Sequence, residues 1–244
     1  MRIKPSLVIL STLSLLGLGI ATATAWNGGG TSSRYAPAKK APAPAGVTVD
    51  AAVSWNHKSA YLFTGPVFSR YNMKKNRVDI GYPKDIQWNW RELWPQGVDA
   101  AVQGRDNKVF FFKGDQYIRY DSKLHRSDPG YPKPIAKYWP GLWKEGIDAA
   151  LSWDDNIIYF FKGGEYIRYD KEKNRVASGY PKPIAGNWPG VWKDGVDAAF
   201  NWGGGKLYFF KGGEFVRYNK KLKRAEYGYP KSMKYSWSGL RSSL

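Results

Sequence analysis

Polar and apolar side chains interleave in Glu165-Tyr166-Ile167-Arg168-Tyr169, the pattern of a strand with one face in a core. Just upstream, residues 157–161 are an aromatic and β-branched run, Ile-Ile-Tyr-Phe-Phe. Lys162-Gly163-Gly164 joins the two as a hairpin turn, where Gly supplies the positive φ of a tight connection. Residues 147–153 open with small side chains and read as a further strand, linked onward by the polar turn Asp154-Asp155-Asn156. After the polar run 170–174, Arg175-Val176 starts a short outer strand. The four segments predict one antiparallel four-stranded sheet. Gly179-Tyr180-Pro181 then breaks the pattern. A short helical turn is expected near Pro183, because Pro is tolerated at a helix start. Trp188 and Trp192 are expected to pack this connection onto the sheet edge, covering an outer strand otherwise open to pairing.

The whole pattern recurs every 49 residues, as the Asp-Ala-Ala openings at Asp50, Asp99, Asp148 and Asp197 show. The Arg-Tyr pairs at Arg70, Arg119, Arg168 and Arg217 keep the same step, as do Trp90, Trp139, Trp188 and Trp237. A fixed period of this length signals a repeat architecture. Four sheets without one insertion or deletion between them predict an all-β fold, a closed four-bladed β-propeller of four-stranded antiparallel blades with short helical connections. The blades are expected at 50–98, 99–147, 148–196 and 197–244 within a domain spanning 47–244. The Ala pairs after each Asp favour this strand as the innermost, where bulk would clash.

Residues 1–25 read as a secretory signal: Arg2 and Lys4, an apolar stretch, then Ala23-Thr24-Ala25 as a cleavage site after Ala23 or Ala25. The alternative is an uncleaved membrane anchor, since the apolar stretch approaches spanning length. Residues 26–46, rich in Gly, Pro, Ala and Lys, form an extended linker. The expected location is therefore extracellular or periplasmic. Absence of Cys excludes disulfides and thiolate metal sites. The net charge of +18 is uneven, with the last repeat holding ten basic residues against three acidic. Lys220, Lys221, Lys223 and Arg224 there form a candidate patch for an anionic polymer, or else a well-solvated turn. No nucleic-acid motif accompanies the charge.

Taken together, the Asp-Ala-Ala openings, Tyr-Phe-Phe-Lys-Gly (residues 159–163 and 208–212), Tyr-Ile-Arg-Tyr-Asp (117–121 and 166–170) and Gly-Tyr-Pro-Lys-Pro-Ile resemble hemopexin repeats. That family includes the haem carrier, the C-terminal domains of matrix metalloproteinases, vitronectin and legume seed albumins. The resemblance covers all four repeats; the first is the most worn, and the fourth has Arg241 where the others have Trp94, Trp143 and Trp192. It implies an axial tunnel holding ions, with calcium near Asp50, Asp99, Asp148 and Asp197, bound largely through main-chain oxygen. It also implies a second ring, for sodium or chloride, at Ala52, Ala101, Ala150 and Ala199. Four bare carboxylates on one divalent ion would leave uncompensated charge, so the Asp side chains are expected to bond mostly to neighbouring blades. Many relatives join the first and last blades by a disulfide, which this chain lacks. Closure is therefore expected from packing and from strand pairing that begins near Val47.

Enzyme chemistry is not expected. Asp154-Asp155 reads as a solvated turn, no nucleophile has an identifiable base, and no His-Glu-x-x-His is present. The two histidines, His57 and His125, are candidate haem ligands by analogy with the haem carrier, though both fall in predicted turns. The reading that remains is a secreted binding or adhesion module for a protein or glycan, with haem scavenging and lectin-like binding as alternatives. A membrane association would follow only from an uncleaved signal.

Overall fold

The structure, a computed structural model, describes residues 46–90 and 92–240. The predicted signal and nearly all of the predicted linker lie outside the described residues. Each repeat folds into its own antiparallel sheet, and no strand passes from one repeat to another. In blade 3 the inner strand Ala149–Ser152 pairs with Ile157–Lys162, which pairs with Glu165–Asp170. The register sets Ala149 opposite Phe161 and Phe161 opposite Tyr166, so a small inner residue backs onto two stacked rings.

The outer edge of each blade is divided between two short segments. Arg175–Val176 pairs with one half of the third strand, and Lys182–Pro183 pairs with the other half. All four blades repeat the division, so the expected four-stranded blade has five strands in its sheet. The fifth escapes a pattern reading because it is two residues long and in two blades contains Pro, which sheets tolerate only at edges. Between the halves the chain reverses through Gly-Tyr-Pro, with a cis peptide at each Tyr–Pro bond.

Helical turns follow at Ile86–Asn89, Ile135–Tyr138 and Met233–Ser236. Blade 3, where the turn was placed from sequence, has no helix. Gly186 stands at the position of Trp88, Lys137 and Tyr235 and takes φ +78°, which leaves the right-handed helical region.

The inner strands Ala51–Val53, Ala100–Gln103, Ala149–Ser152 and Ala198–Gly203 each contact the next, and the last contacts the first. The ring is closed. Its core lies in four wedges between adjacent blades rather than at one centre. Trp139 shows how a wedge is built: it meets Phe112 and Tyr117 of its own blade and Phe160 and Tyr169 of the next. The repeated Trp residues thus sit between blades, deeper than the sheet edge expected for Trp188. Edge-to-face pairs Phe63–Phe111, Phe112–Phe160 and Phe161–Phe209, with centroids 5.6, 5.6 and 5.7 Å apart, cross three of the wedges. Such pairs contribute about 0.5–1.5 kcal/mol beyond area burial.

The closing wedge differs, because Leu62 stands where the other blades have Phe111, Phe160 and Phe209. Buried Val49, Leu62, Tyr71 and Val78 pack there on Phe200, Phe210 and Trp237. One main-chain bond crosses the seam, from Val78 N–H to Ser238 O at 2.9 Å, repeating the Val176–Pro140 and Ala225–Pro189 bonds elsewhere. The strand expected from near Val47 is absent. Residues 47–49 form none, and Thr48 instead offers its carbonyl to the Thr64 hydroxyl of the same blade at 2.7 Å.

Candidate functional site

The four repeated aspartates open their inner strands at one end of the ring. Each carboxylate accepts a hydrogen bond from the hairpin glycine of its own blade. Gly65 N–H reaches Asp50 Oδ2 at 2.7 Å, Gly114 reaches Asp99 at 2.8 Å, Gly163 reaches Asp148 at 2.7 Å and Gly212 reaches Asp197 at 2.7 Å. The expectation of bonds to neighbouring blades is corrected by these contacts. An Asp one residue before the strand lies beside the next hairpin, whose glycine has an amide with no ladder partner, and that amide is within easier reach than another blade.

Ala52, Ala101, Ala150 and Ala199 line a narrow cavity on the axis, of about 10 Å³. That is about the least space that holds one water molecule. Beyond them, at the fourth residue after each Asp, Ser54, Gln103, Ser152 and Asn201 line the same cavity. This polar ring was missed in the sequence, although the repeat offset exposes it. Two of its members tie blades together: Gln103 Nε2 donates to Trp55 O at 3.4 Å, and Asn201 Nδ2 donates to Ser152 O at 3.0 Å.

Among the described residues no group of three or more His, Cys, Asp or Glu side chains is placed to hold a metal. The aspartates are clasps by their contacts, and alanine side chains offer no donor. The side chains therefore do not form a carboxylate cage, and a hard cation on the axis would have to rest on main-chain oxygen and water, which calcium accepts.

A far larger cavity, about 920 Å³, opens at the Asp end between blades 2 and 3. Half-buried Trp94 and Trp143 border it, together with the acidic residues Asp99, Asp115, Glu145, Asp148 and Glu165 and the basic residues Lys113 and Lys162. Lys162 Nζ is fixed by Gly146 O at 2.8 Å, and Lys113 Nζ stands 4.0 Å from Asp99 Oδ1. Gly146 must be glycine: it has φ +116°, and a Cβ there would lie 2.7 Å from Gly114 O. That close approach seats the wall of the groove on the hairpin that clasps Asp99.

The hemopexin family model matches residues 49–95, 98–144, 147–193 and 196–242, one span per blade. The chain belongs to the hemopexin family. Solved structures of similar shape are hemopexin-fold seed proteins. A plant lectin with two metal-binding sites from Cicer arietinum is 25% identical, with a TM-score of 0.67 over 78% of this chain and 95% of its own. The seed albumin LS24 from Lathyrus sativus is 25% identical, with a TM-score of 0.62 over 69% and 84%. The hemopexin-fold protein CP4 from cow pea, 21% identical with a TM-score of 0.68 over 78% and 96%, is alike in fold. No curated protein matches the chain.

In this hemopexin-family chain the two candidate haem ligands are exposed turn residues, His57 at φ +51° and His125 at φ +54°. They belong to different blades, and neither lines the two cavities described above. The basic cluster of blade 4 is also divided. Lys221, Lys223 and Arg224 are exposed, but Lys220 turns inward, donating to Trp153 O at 2.5 Å with its ammonium 4.8 Å from the Trp153 ring centroid. Lys220 is thus a link between blades 3 and 4, and the candidate anion patch is reduced to three residues. Asp154 caps its own turn, accepting from the Asn156 and Ile157 amides at 2.8 Å. Among the described residues no helix is long and apolar enough to cross a membrane.

Proposed function

We propose that this protein is an exported, non-catalytic binding module that holds a glycan in the groove between blades 2 and 3, with calcium in the axial channel. The observation that carries the reading is the groove itself. Two half-buried tryptophans and five acidic residues line one cavity, a combination that suits stacking on a sugar ring and acceptance of its hydroxyls. The similarity to a lectin with two metal-binding sites supports both parts. Calcium fits the narrow channel because backbone oxygen and water satisfy it without side-chain ligands. Export rests on residues 1–25, and the mature protein should begin after Ala23 or Ala25 when its N-terminus is sequenced.

The test is a glycan array probed with the mature protein and with Trp94→Ala and Trp143→Ala. A salt-resistant preference for particular sugars that both variants lose, while melting like the parent, supports the reading. Binding that vanishes uniformly as salt rises would assign it to the basic surface instead. Calcium at about a hundred times its Kd should add about 2.7 kcal/mol to stability, and a chelator should remove it.

A further inference from the structure

Arg70, Arg119, Arg168 and Arg217 occupy one position in the third strand of the four blades. In three blades the guanidinium grips a carboxylate supplied by the residue after the first short outer segment. Arg70 Nε donates to Asp79 Oδ2 at 2.7 Å, Arg119 Nε to Asp128 Oδ2 at 2.5 Å, and Arg217 Nε to Glu226 Oε2 at 2.6 Å. The same three guanidinium groups lie over tyrosine rings, 5.2 Å from Tyr82, 5.5 Å from Tyr131 and 5.3 Å from Tyr229. One main-chain bond brings each acid into place, from its N–H to the arginine carbonyl at 2.9 Å.

Blade 3 keeps this frame without the acid. Ala177 N–H donates to Arg168 O at the same 2.9 Å, so its Cβ stands where the acidic side chains begin in the other blades. Among the described residues Arg168 makes no ion pair and lies over no ring. Arg168 donates a hydrogen bond to the side chain of Tyr159, its cross-strand neighbour, but Arg70 and Arg217 bond Tyr61 and Tyr208 in the same way and still hold their acids. A guanidinium has five N–H donors, so that contact leaves several to spare. Nearby Asp170 accepts the Glu172 and Lys173 amides on Oδ1 at 3.0 Å and forms no ion pair with Arg168, feeling it only as a nearby charge. Lys182 adds a second cation, its ammonium 5.0 Å from the Tyr180 centroid.

We infer that the outer rim of blade 3 binds the carboxylate group of an external ligand, with Arg168 as its anchor and Lys182 as a supporting charge. The other three blades display the bound arrangement with acids of their own. A planar carboxylate suits the site better than a sulfate or phosphate. Two parallel acceptors match the guanidinium edge. The lysines that reach the second acid oxygen in blades 2 and 4, Lys108 and Lys206, are replaced by Ile157, 7% exposed, which offers a third oxygen nothing.

The experiment is a titration of the mature protein with sodium glucuronate, followed through the arginine Nε–H resonances, with glucose and sodium sulfate at matched ionic strength as controls. A saturable shift of the Arg168 signal by glucuronate, with Arg70, Arg119 and Arg217 unmoved, is expected. Ala177→Asp supplies the missing acid from within and should abolish the response. Asp79→Ala should create a second responding arginine at Arg70, which keeps the test decisive if Ala177→Asp does not fold. Equal shifts of all four arginines, an equal response to sulfate, or an unmoved Arg168 would overturn the assignment.

Discussion

Replacing Asp50 separates the two roles open to an aspartate that begins an inner strand, clasp or ion ligand. If it is a clasp, its contribution is one hydrogen bond, from Gly65 N–H to the carboxylate at 2.7 Å in a partly buried setting. Bonds to charged acceptors contribute about 1.5–3 kcal/mol, and partial exposure puts this one at the low end. Asp50→Ala should therefore lower stability by about 1.5 kcal/mol, because the amide loses its acceptor and the first hairpin loses its tie to the inner strand. Asp50→Asn keeps an oxygen in the same place and gives up only the charge, so it should cost about half a kcal/mol. Neither change alters the main chain, so if the proposed calcium is held by main-chain oxygen its affinity, measured by calorimetry, should stay within about threefold of the parent. A coordinating carboxylate behaves differently, since the number of charged ligands tunes calcium Kd over decades. Urea denaturation with and without calcium reads the first quantity and calorimetry the second. Should Asp50→Asn unfold like the parent yet bind calcium tenfold or more weakly, the carboxylate is on the ion and the clasp reading fails.

Three other perturbations test separate parts of the structure. Gly146→Ala forces a Cβ to within 2.7 Å of Gly114 O at φ +116°, whereas Gly163→Ala meets nothing within 4 Å at φ +50°. The first should cost about 3–5 kcal/mol from strain and overpacking together and the second about 1–2; equal denaturation midpoints would refute the close approach. His125→Asn should stabilise blade 2 by about 0.5–1 kcal/mol in urea denaturation, because Asn76 and Asn174 at its position accept the hydroxyls of Tyr71 and Tyr169 at 3.0 and 2.9 Å. If His125 is instead a haem ligand, the same variant should remove a Soret shift produced by hemin. Acid should weaken blade 2. The Leu124 amide and the Lys108 ammonium push Asp121 down to about 2 from 3.8. Burial raises Asp128, but Lys108 and Arg119 outweigh it and leave it below its ordinary value. Depressed carboxyls add stability above 3.8 that disappears as pH falls toward the folded-state values. The slope of stability against pH between those limits should be shallower in Asp128→Asn.

Much of this fold is legible because every useful signal is repeated four times, so weak local evidence becomes strong at a fixed offset. Strand alternation, hairpin glycines and small inner residues needed only one blade to read, and the period multiplied them. The signals that failed depend on neighbours that a period does not name. Nothing in Lys182–Pro183 suggests a strand; it becomes one because the third strand leaves half its edge unpaired. Lys220 belongs by sequence to a basic run, yet the Trp153 carbonyl and ring of the adjacent blade draw it inward. The aspartates bond within their own blade, against the expectation from sequence, because a side chain's reach is short and a hairpin glycine amide lies at hand. The groove was invisible for another reason. Trp94 and Trp143 look in sequence like further core aromatics, yet both stay half-buried at the border of the cavity.

Among four copies of one unit, agreement and disagreement carry different information. Positions held alike in all four, such as the clasping aspartates and the wedge tryptophans, answer to closure, since every blade meets the same geometry. A departure in one copy is free of that demand. Leu62 weakens one aromatic contact and Gly186 unwinds one turn, and each is absorbed by its own neighbours. Ala177 is different, because the arginine it should neutralise remains, while the lysine that would accompany the acid has also gone, replaced by Ile157. Loss of a surface ion pair, contributing at most about 1 kcal/mol, leaves Arg168 its bond to Tyr159 and several donors without an acid to meet. Retention of the cation after removal of its internal partner is what an external partner requires, and it makes blade 3 the copy in which chemistry, rather than ring geometry, determines the side chains.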